Sequence, residues 1–177
     1  MTPDVRVREA TLDDLDELVA LWAHYMRFHR ANPAYRLCRA DGLERRREVF
    51  EEHLKNRDSA VLIVPRPDGG LDGMLTCFVE RNTGYFDPPR YCRLQTPFVR
   101  PEVRGRGYVR KLLAAAYRWA REHGLTEIRL YTSAYEEAAN RRAEELGFEA
   151  FEVVRRRPVE RNYPPGRTPF DDRKREP

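Results

Sequence analysis

Val99-Arg100-Pro101-Glu102-Val103-Arg104-Gly105-Arg106-Gly107-Tyr108-Val109 stands between two segments of different periodicity. Upstream, Tyr91 to Val99 reads as a strand. Downstream, Val109, Leu112, Leu113, Ala116, Trp119 and Ala120 recur at spacings of three and four, the apolar face of a helix that His123-Gly124 closes. Gly105 and Gly107 have no Cβ, so the backbone between strand and helix can take unusual dihedrals and approach a ligand closely. Successive N–H groups then point into one concavity at the positive end of a helix dipole. That is an anion site suited to a pyrophosphate, with Arg104 and Arg106 adding positive charge beside it. Spacing excludes two other phosphate loops. A dinucleotide fingerprint needs a third glycine where Arg110 stands, and a Walker loop needs a Gly-Lys-Ser/Thr that follows neither glycine. Taken alone, a Gly-x-Gly before a helix is also compatible with a plain structural turn.

Working outward, Val5 to Ala10 alternates as a short strand, and Thr11 serves as an N-cap with Asp13 and Asp14 in the first turn of a helix. Leu15, Leu18, Val19, Trp22 and Met26 continue that helix until Asn32-Pro33 breaks it. Residues 31–42 read as an irregular connection and Leu43 to Lys55 as a second helix. Ala60 to Pro65 and Gly73 to Glu80 form a hairpin around Asp68-Gly69-Gly70. Beyond the glycine loop and its helix, Glu127 to Thr132 is a strand, Glu136 to Leu146 a helix ended by Gly147, and Phe148 to Val154 a last strand. The order β-α-α-β-β-β-α-β-α-β implies one α/β domain over residues 1–157, a mixed central sheet flanked by helices. Residues 158–177, rich in proline and charge, read as a mobile tail.

Composition bounds the partners. The 177 residues are 41% hydrophobic and 35% charged, with a formal charge of +4, a balance that suits an anionic ligand without demanding nucleic acid. The amino terminus lacks the apolar stretch of a secretory signal, and the longest apolar run, Ala60 to Val64, is too short to span a bilayer. Cys38, Cys77 and Cys92 show no C-x-x-C spacing and read as reduced thiols of a cytoplasmic protein. No metal-ligand spacing stands out.

The run Val99 to Gly107 resembles the V-x-P-x-x-R-G-x-G signature of the GCN5-related N-acetyltransferase (GNAT) superfamily. The resemblance extends along nearly the whole chain: Ala10, Thr11 and Asp14 look like the family's opening, and Ala139 with Leu146-Gly147-Phe148 looks like its ending. It implies the GNAT fold, acetyl-CoA as cosubstrate, and a strand ending at Phe98-Val99 that splays from its neighbour and pairs with the pantetheine arm. It further implies that the N–H groups of Arg104, Gly105, Arg106, Gly107, Tyr108 and Val109 hold the pyrophosphate. The acceptor would be a primary amine, on a small molecule or on a protein or peptide, and dimers are common in the family.

Two departures bear on chemistry. Val109 stands where the family pattern expects Gly or Ala, although its N–H remains available. Ala143 stands where many members carry a tyrosine that protonates the departing thiolate, and Glu136 where an Asn is often found. Catalytic candidates are therefore Glu80, at the end of a central strand, and Tyr135, at the start of the last helix, followed by Glu136. The acceptor side, bordered in the family by the first two helices, carries Tyr25, Phe28, His29, Tyr35 and Arg36, of which the first three also match simple helical packing. Three readings follow: an N-acetyltransferase, a catalytically weak CoA-binding module motivated by Ala143, and, with least support, a nucleic-acid-binding module motivated by the basic tail.

Overall fold

The computed structural model describes residues 6–35 and 38–155. A five-stranded sheet runs β1 (Arg8–Glu9), β2 (Ser59–Pro65), β3 (Leu71–Arg81), β4 (Arg90–Val99) and β5 (Ile128–Leu130), in sequence order across the sheet. The first three pairings are antiparallel and the last is parallel. Helices α1 (Leu15–Phe28) and α2 (Gly42–Lys55) fill the long connection between β1 and β2. Helix α3 (Tyr108–Glu122) is the crossover that a parallel β4–β5 pair requires, and α4 (Glu137–Glu145) follows β5.

Each face of the sheet buries its own core. Side chains of Leu62, Val64, Leu75, Cys77, Cys92, Leu94 and Val99 meet α3 through Leu112, Ala116 and Trp119. Val61, Ile63, Met74 and Phe98 meet α1 and α2 through Leu18, Leu21 and Phe50. Cys77 and Cys92 are thus core thiols, whereas Cys38 is exposed.

The entry to α1 differs from a simple Thr11 cap. Leu12–Asp14 is a 3-10 turn, and the Asp14 carboxylate reaches back to the Thr11 N–H at 2.8 Å while taking a two-pronged bond from Arg8 at 2.7 and 2.8 Å. The Arg8 hydrogen bonds, aided by Thr11 and opposed by burial, hold the Asp14 carboxyl below its usual value. A carboxylate whose folded pKa is depressed stabilises the fold above the ordinary aspartate value and loses that contribution as pH falls through the folded one. Asp14→Asn is therefore expected to destabilise by about 1 kcal/mol at neutral pH, with the gap narrowing below pH ~3.9 in urea titrations.

The last strand is corrected: Phe148–Val154 has no strand partner and is irregular, with Phe151, Val153 and Val154 largely exposed. Alternation marks a strand only when a neighbour accepts its backbone groups, and β5, at three residues, offers little edge. The first strand shortens to Arg8–Glu9; Val5, Arg36 and the tail lie outside the described residues.

Candidate active site

The centre of the site is an irregularity in β4. Its pairing with β3 runs in step from Arg81↔Arg90 to Thr76↔Gln95, then slips, so that Met74 faces Phe98 and Gly73 faces Val99. The slip is a bulge at Thr96-Pro97, and Thr96 takes a left-handed φ of 55°, uncommon for a β-branched residue. On its other edge β4 pairs with β5 only from Cys92 to Leu94, with one further bond from the Tyr131 N–H to the Leu94 carbonyl at 3.2 Å. Beyond that point the two strands part, and the β5-facing edge of β4 from Gln95 to Val99 has no strand beside it. This is the splay that the family resemblance implies.

The glycine loop closes the end of that gap. A 3-10 turn, Pro101–Val103, leads out of β4, and Gly105 and Gly107 take φ of 81° and 78°, the left-handed region that favours glycine. Gly107 is the N-cap of α3. The N–H groups from Gly105 to Arg110 find no hydrogen-bond partner among the described residues; the first helical bond is Lys111 N–H to the Gly107 carbonyl at 3.1 Å. A Cβ built at either glycine meets nothing within 4 Å, so the space in front of these donors is open. The residues present thus fit a bound pyrophosphate: a continuous row of donors on the positive end of a long helix.

The two arginines of the loop point differently. Arg104 turns back into the gap, where its Nε lies 3.3 Å from the Val99 carbonyl and its guanidinium sits 4.5 Å from the Phe28 ring. Arg106 lines a shallow surface pocket with Arg66, Asp68, Asp72 and Arg100. Tyr108 and Phe98 are buried, and Val109 packs against the α3 core, so each leaves its backbone and not its side chain toward the gap.

Across the gap from the loop stands a group that sequence reading did not assemble. His29, at the C-cap of α1, places Nδ1 3.0 Å from Glu136 Oε1, and Asn32 donates from Nδ2 to the same oxygen at 2.8 Å. Asn32 Nδ2 also donates to Ser133 Oγ at 3.1 Å, while its Oδ1 accepts the Ala34 N–H at 2.9 Å. The buried Asn32 amide is therefore fully used. Burial opposes ionisation of Glu136, but the hydrogen bonds from Asn32 and His29 outweigh it and hold the carboxyl below its usual value. Around the imidazole stand Tyr25, Phe28 and Tyr35, with ring centroids at 4.6, 4.9 and 5.6 Å, and Phe98 of the bulged strand at 6.3 Å. The Tyr25 and Tyr35 hydroxyls bond each other, and burial, then that bond, raise the Tyr25 phenol.

The two catalytic candidates fall elsewhere. Glu80 lies opposite Tyr91, nearer the start of β4, and accepts a hydrogen bond from Arg93 at 2.9 Å. Tyr135 is next to Glu136 in sequence, but the residue is 66% exposed. Asn32 was legible only as a helix breaker, because Asn-Pro is a turn signal; nothing local in sequence ties it to a glutamate a hundred residues away.

Comparison with known proteins agrees with the geometry. The model of the acetyltransferase (GNAT) family matches residues 18–148. No curated protein matches the chain closely enough in sequence to count as a relative. Solved structures of similar fold include aminoglycoside N-acetyltransferase AAC(6')-Iy in complex with CoA, 23% identical with a TM-score of 0.69 over 90% of this chain and 99% of that one. A mutant of the BH1408 protein from Bacillus halodurans superposes with a TM-score of 0.75 at 17% identity, over 87% of this chain and 99% of its own. The aminoglycoside antibiotic 6'-N-acetyltransferase AAC(6')-IG from Acinetobacter haemolyticus gives 0.69 at 16%, over 88% and 98%. At these identities the likeness is one of fold. The family match, by contrast, spans most of the chain and takes in the bulged strand, the gap and the glycine loop: the chain belongs to the acetyltransferase (GNAT) family.

Proposed function

We propose that the chain transfers the acetyl group of acetyl-CoA to a primary amine, with both substrates bound at once. One observation carries the reading: six consecutive N–H groups, Gly105 to Arg110, without a partner among the described residues, stand at the mouth of a gap whose other wall holds the His29–Glu136 pair. Phosphate donors and a proton acceptor thus flank one opening. Acetyl-CoA supplies the thioester. The β5-facing edge of β4 offers its arm a strand to pair with, and Arg104, already beside the Val99 carbonyl, has to share or yield that place.

The proton acceptor is the stricter need. An amine with pKa ~10.4 is neutral in only about one molecule per 10³ at pH 7. His29 meets that need. Its Nδ1 is held by the Glu136 carboxylate, leaving Nε2 without a partner among the described residues to receive the proton the amine sheds. Glu136 acts as the positioning group, ionised and fixed by Asn32. Glu80 suits the role less, because its carboxylate is already engaged by the Arg93 guanidinium at 2.9 Å. Proton return to the thiolate falls to Tyr135 or to solvent, since a thiol of pKa ~8.5 is a tolerable leaving group near neutrality.

Acetyl-CoA is expected to raise the melting temperature, corresponding to about 2.7 kcal/mol at a hundredfold excess over its dissociation constant. Acceptor-dependent thiol release should then appear within a panel of polyamines, aminoglycosides, amino acids and peptides. No melting shift overturns the proposal. A shift without turnover on any acceptor leaves a CoA-binding module in place of an enzyme.

A further inference from the structure

Between α2 and the sheet, next to the aromatic residues around His29, three buried polar atoms have no hydrogen-bond partner among the described residues: Arg46 Nε, Thr76 Oγ1 and Arg93 Nε. They come from one helix and two adjacent strands. Thr76 and Arg93 belong to the sheet face that carries Phe78, Gln95 and Phe98, as the strand alternation and the Phe78↔Arg93 and Thr76↔Gln95 pairings require. Arg46 lies over the Phe50 ring at 4.1 Å and the Trp22 ring at 5.7 Å, and no carboxylate among the described residues pairs with it. Burial pushes its guanidinium down to about 10.

Both arginines act on one imidazole. His53, whose ring meets Phe78 at 4.6 Å, is pushed down to about 4 by burial first and then by Arg46 and Arg93, so at working pH it adds no charge. The acids nearby are already engaged: Glu80 with Arg93, and Glu136 with His29 and Asn32. Arg46 is therefore the guanidinium of this group that lacks an acid of its own among the described residues, while a hydroxyl and a second N–H on the sheet face that α2 covers are unpaired as well. Buried polar groups in folded proteins are nearly always satisfied, and an unpaired buried cation is among the costlier exceptions. Three such atoms beside an acceptor site are satisfied most simply by the acceptor itself.

We propose that the acceptor is an amine that also carries a carboxylate, bound by Arg46 and Arg93 with Thr76 while its amino group faces His29. One planar carboxylate matches the edge of a single guanidinium that has no acid of its own, whereas a phosphate dianion would need a second unpaired cation. A polycation would add positive charge to an already unpaired guanidinium. This rests on the proposed acetyl transfer and narrows its substrate class.

The test uses the full chain with acetyl-CoA and a graded series of ω-amino acids, from glycine to 6-aminohexanoate, each against the n-alkylamine of the same length. At least one amino acid is expected to exceed its matched amine in kcat/KM by about tenfold or more, the scale of one charge-assisted contact. In Arg46→Met that ratio should fall to near one through a raised KM, and in Arg46→Lys it should fall part of the way. Thr76→Val, close to isosteric, gives the same direction should the arginine variants fold poorly. No preference in the wild type, including no turnover of any amino acid in the series, overturns the inference, as does a preference that survives Arg46→Met. The acetyl-CoA melting shift separates the two levels: its absence in the wild type defeats the proposed activity, and its presence without a carboxylate preference defeats only this inference.

Discussion

Gly107→Glu is expected to abolish the acetyl-CoA-dependent rise in melting temperature and to lower turnover by more than about 10²-fold, the scale seen when an oriented donor set is lost. Gly107 combines a left-handed φ of 78° with the N-cap position of α3. An L-residue there costs about 1–2 kcal/mol, which a domain of this size can absorb. A Cβ there meets no neighbour within 4 Å, so the fold should survive, as circular dichroism would show. What changes is charge. A carboxylate placed among the free N–H groups of residues 105–110 caps them internally and repels a pyrophosphate. Gly107→Asn, which tolerates the left-handed conformation and brings no charge, should keep part of the response. An undiminished acetyl-CoA response in Gly107→Glu would remove the loop from the binding site.

His29→Ala is expected to reduce kcat/KM by about 10²–10⁴-fold, the usual range for a positioned general base. The pH profile separates chemistry from architecture. In the wild type a base-catalysed limb should appear in the rate at pH values where the free amine is still protonated. In His29→Ala that limb should vanish, leaving a slow rate that follows the free amine toward ~10.4. Glu136→Gln should keep the Asn32 contact but lose the charge that orients the imidazole, giving a smaller loss in kcat. Glu136 also carries a stability signature. Its carboxyl is held below the usual value, so it stabilises the fold above the ordinary glutamate value of ~4.3 and loses that effect as pH falls through the folded one. A variant of His29 that lowers the melting temperature but leaves the pH profile intact would make the residue structural and return the base to Glu80.

The parts of this site legible in sequence are those made by contiguous residues. The strand, the two glycines and the amphipathic helix follow one another from Tyr91 to Glu122, so spacing alone places a donor row at a helix start. The acceptor side is not contiguous. His29, Asn32 and Glu136 meet only because α1 and the β5–α4 connection approach each other across the sheet, and each residue has an unremarkable local context. Glu80 attracted attention as an acid on a central strand, but sequence spacing could not show that Arg93 lies diagonally across from it, one strand over. The final strand failed for the opposite reason: its alternation is real, yet Phe148–Val154 lacks a partner to make it a strand. One signal went unused. Pro97 lies inside an otherwise regular strand, where proline is confined to edges and bulges.

That bulge has a consequence for how the site can change over time. Before it, Cys92 and Leu94 face α3; after it, Val99 does, an odd number of positions further on, so the extra residue reverses the odd–even phase of the strand. The bulge thus absorbs one supernumerary residue, and Phe98 stays beneath the acceptor aromatics on the face that Met74 also shares. Point substitutions at Thr96 or Pro97 would leave that count intact. Loss of a single codon there would restore regular alternation with Phe98 still opposite Met74 and Val99 still opposite Gly73, and would erase the bulge at the point where β4 parts from β5. For this strand, an extra residue is taken up locally and the facing of every residue beyond it is kept.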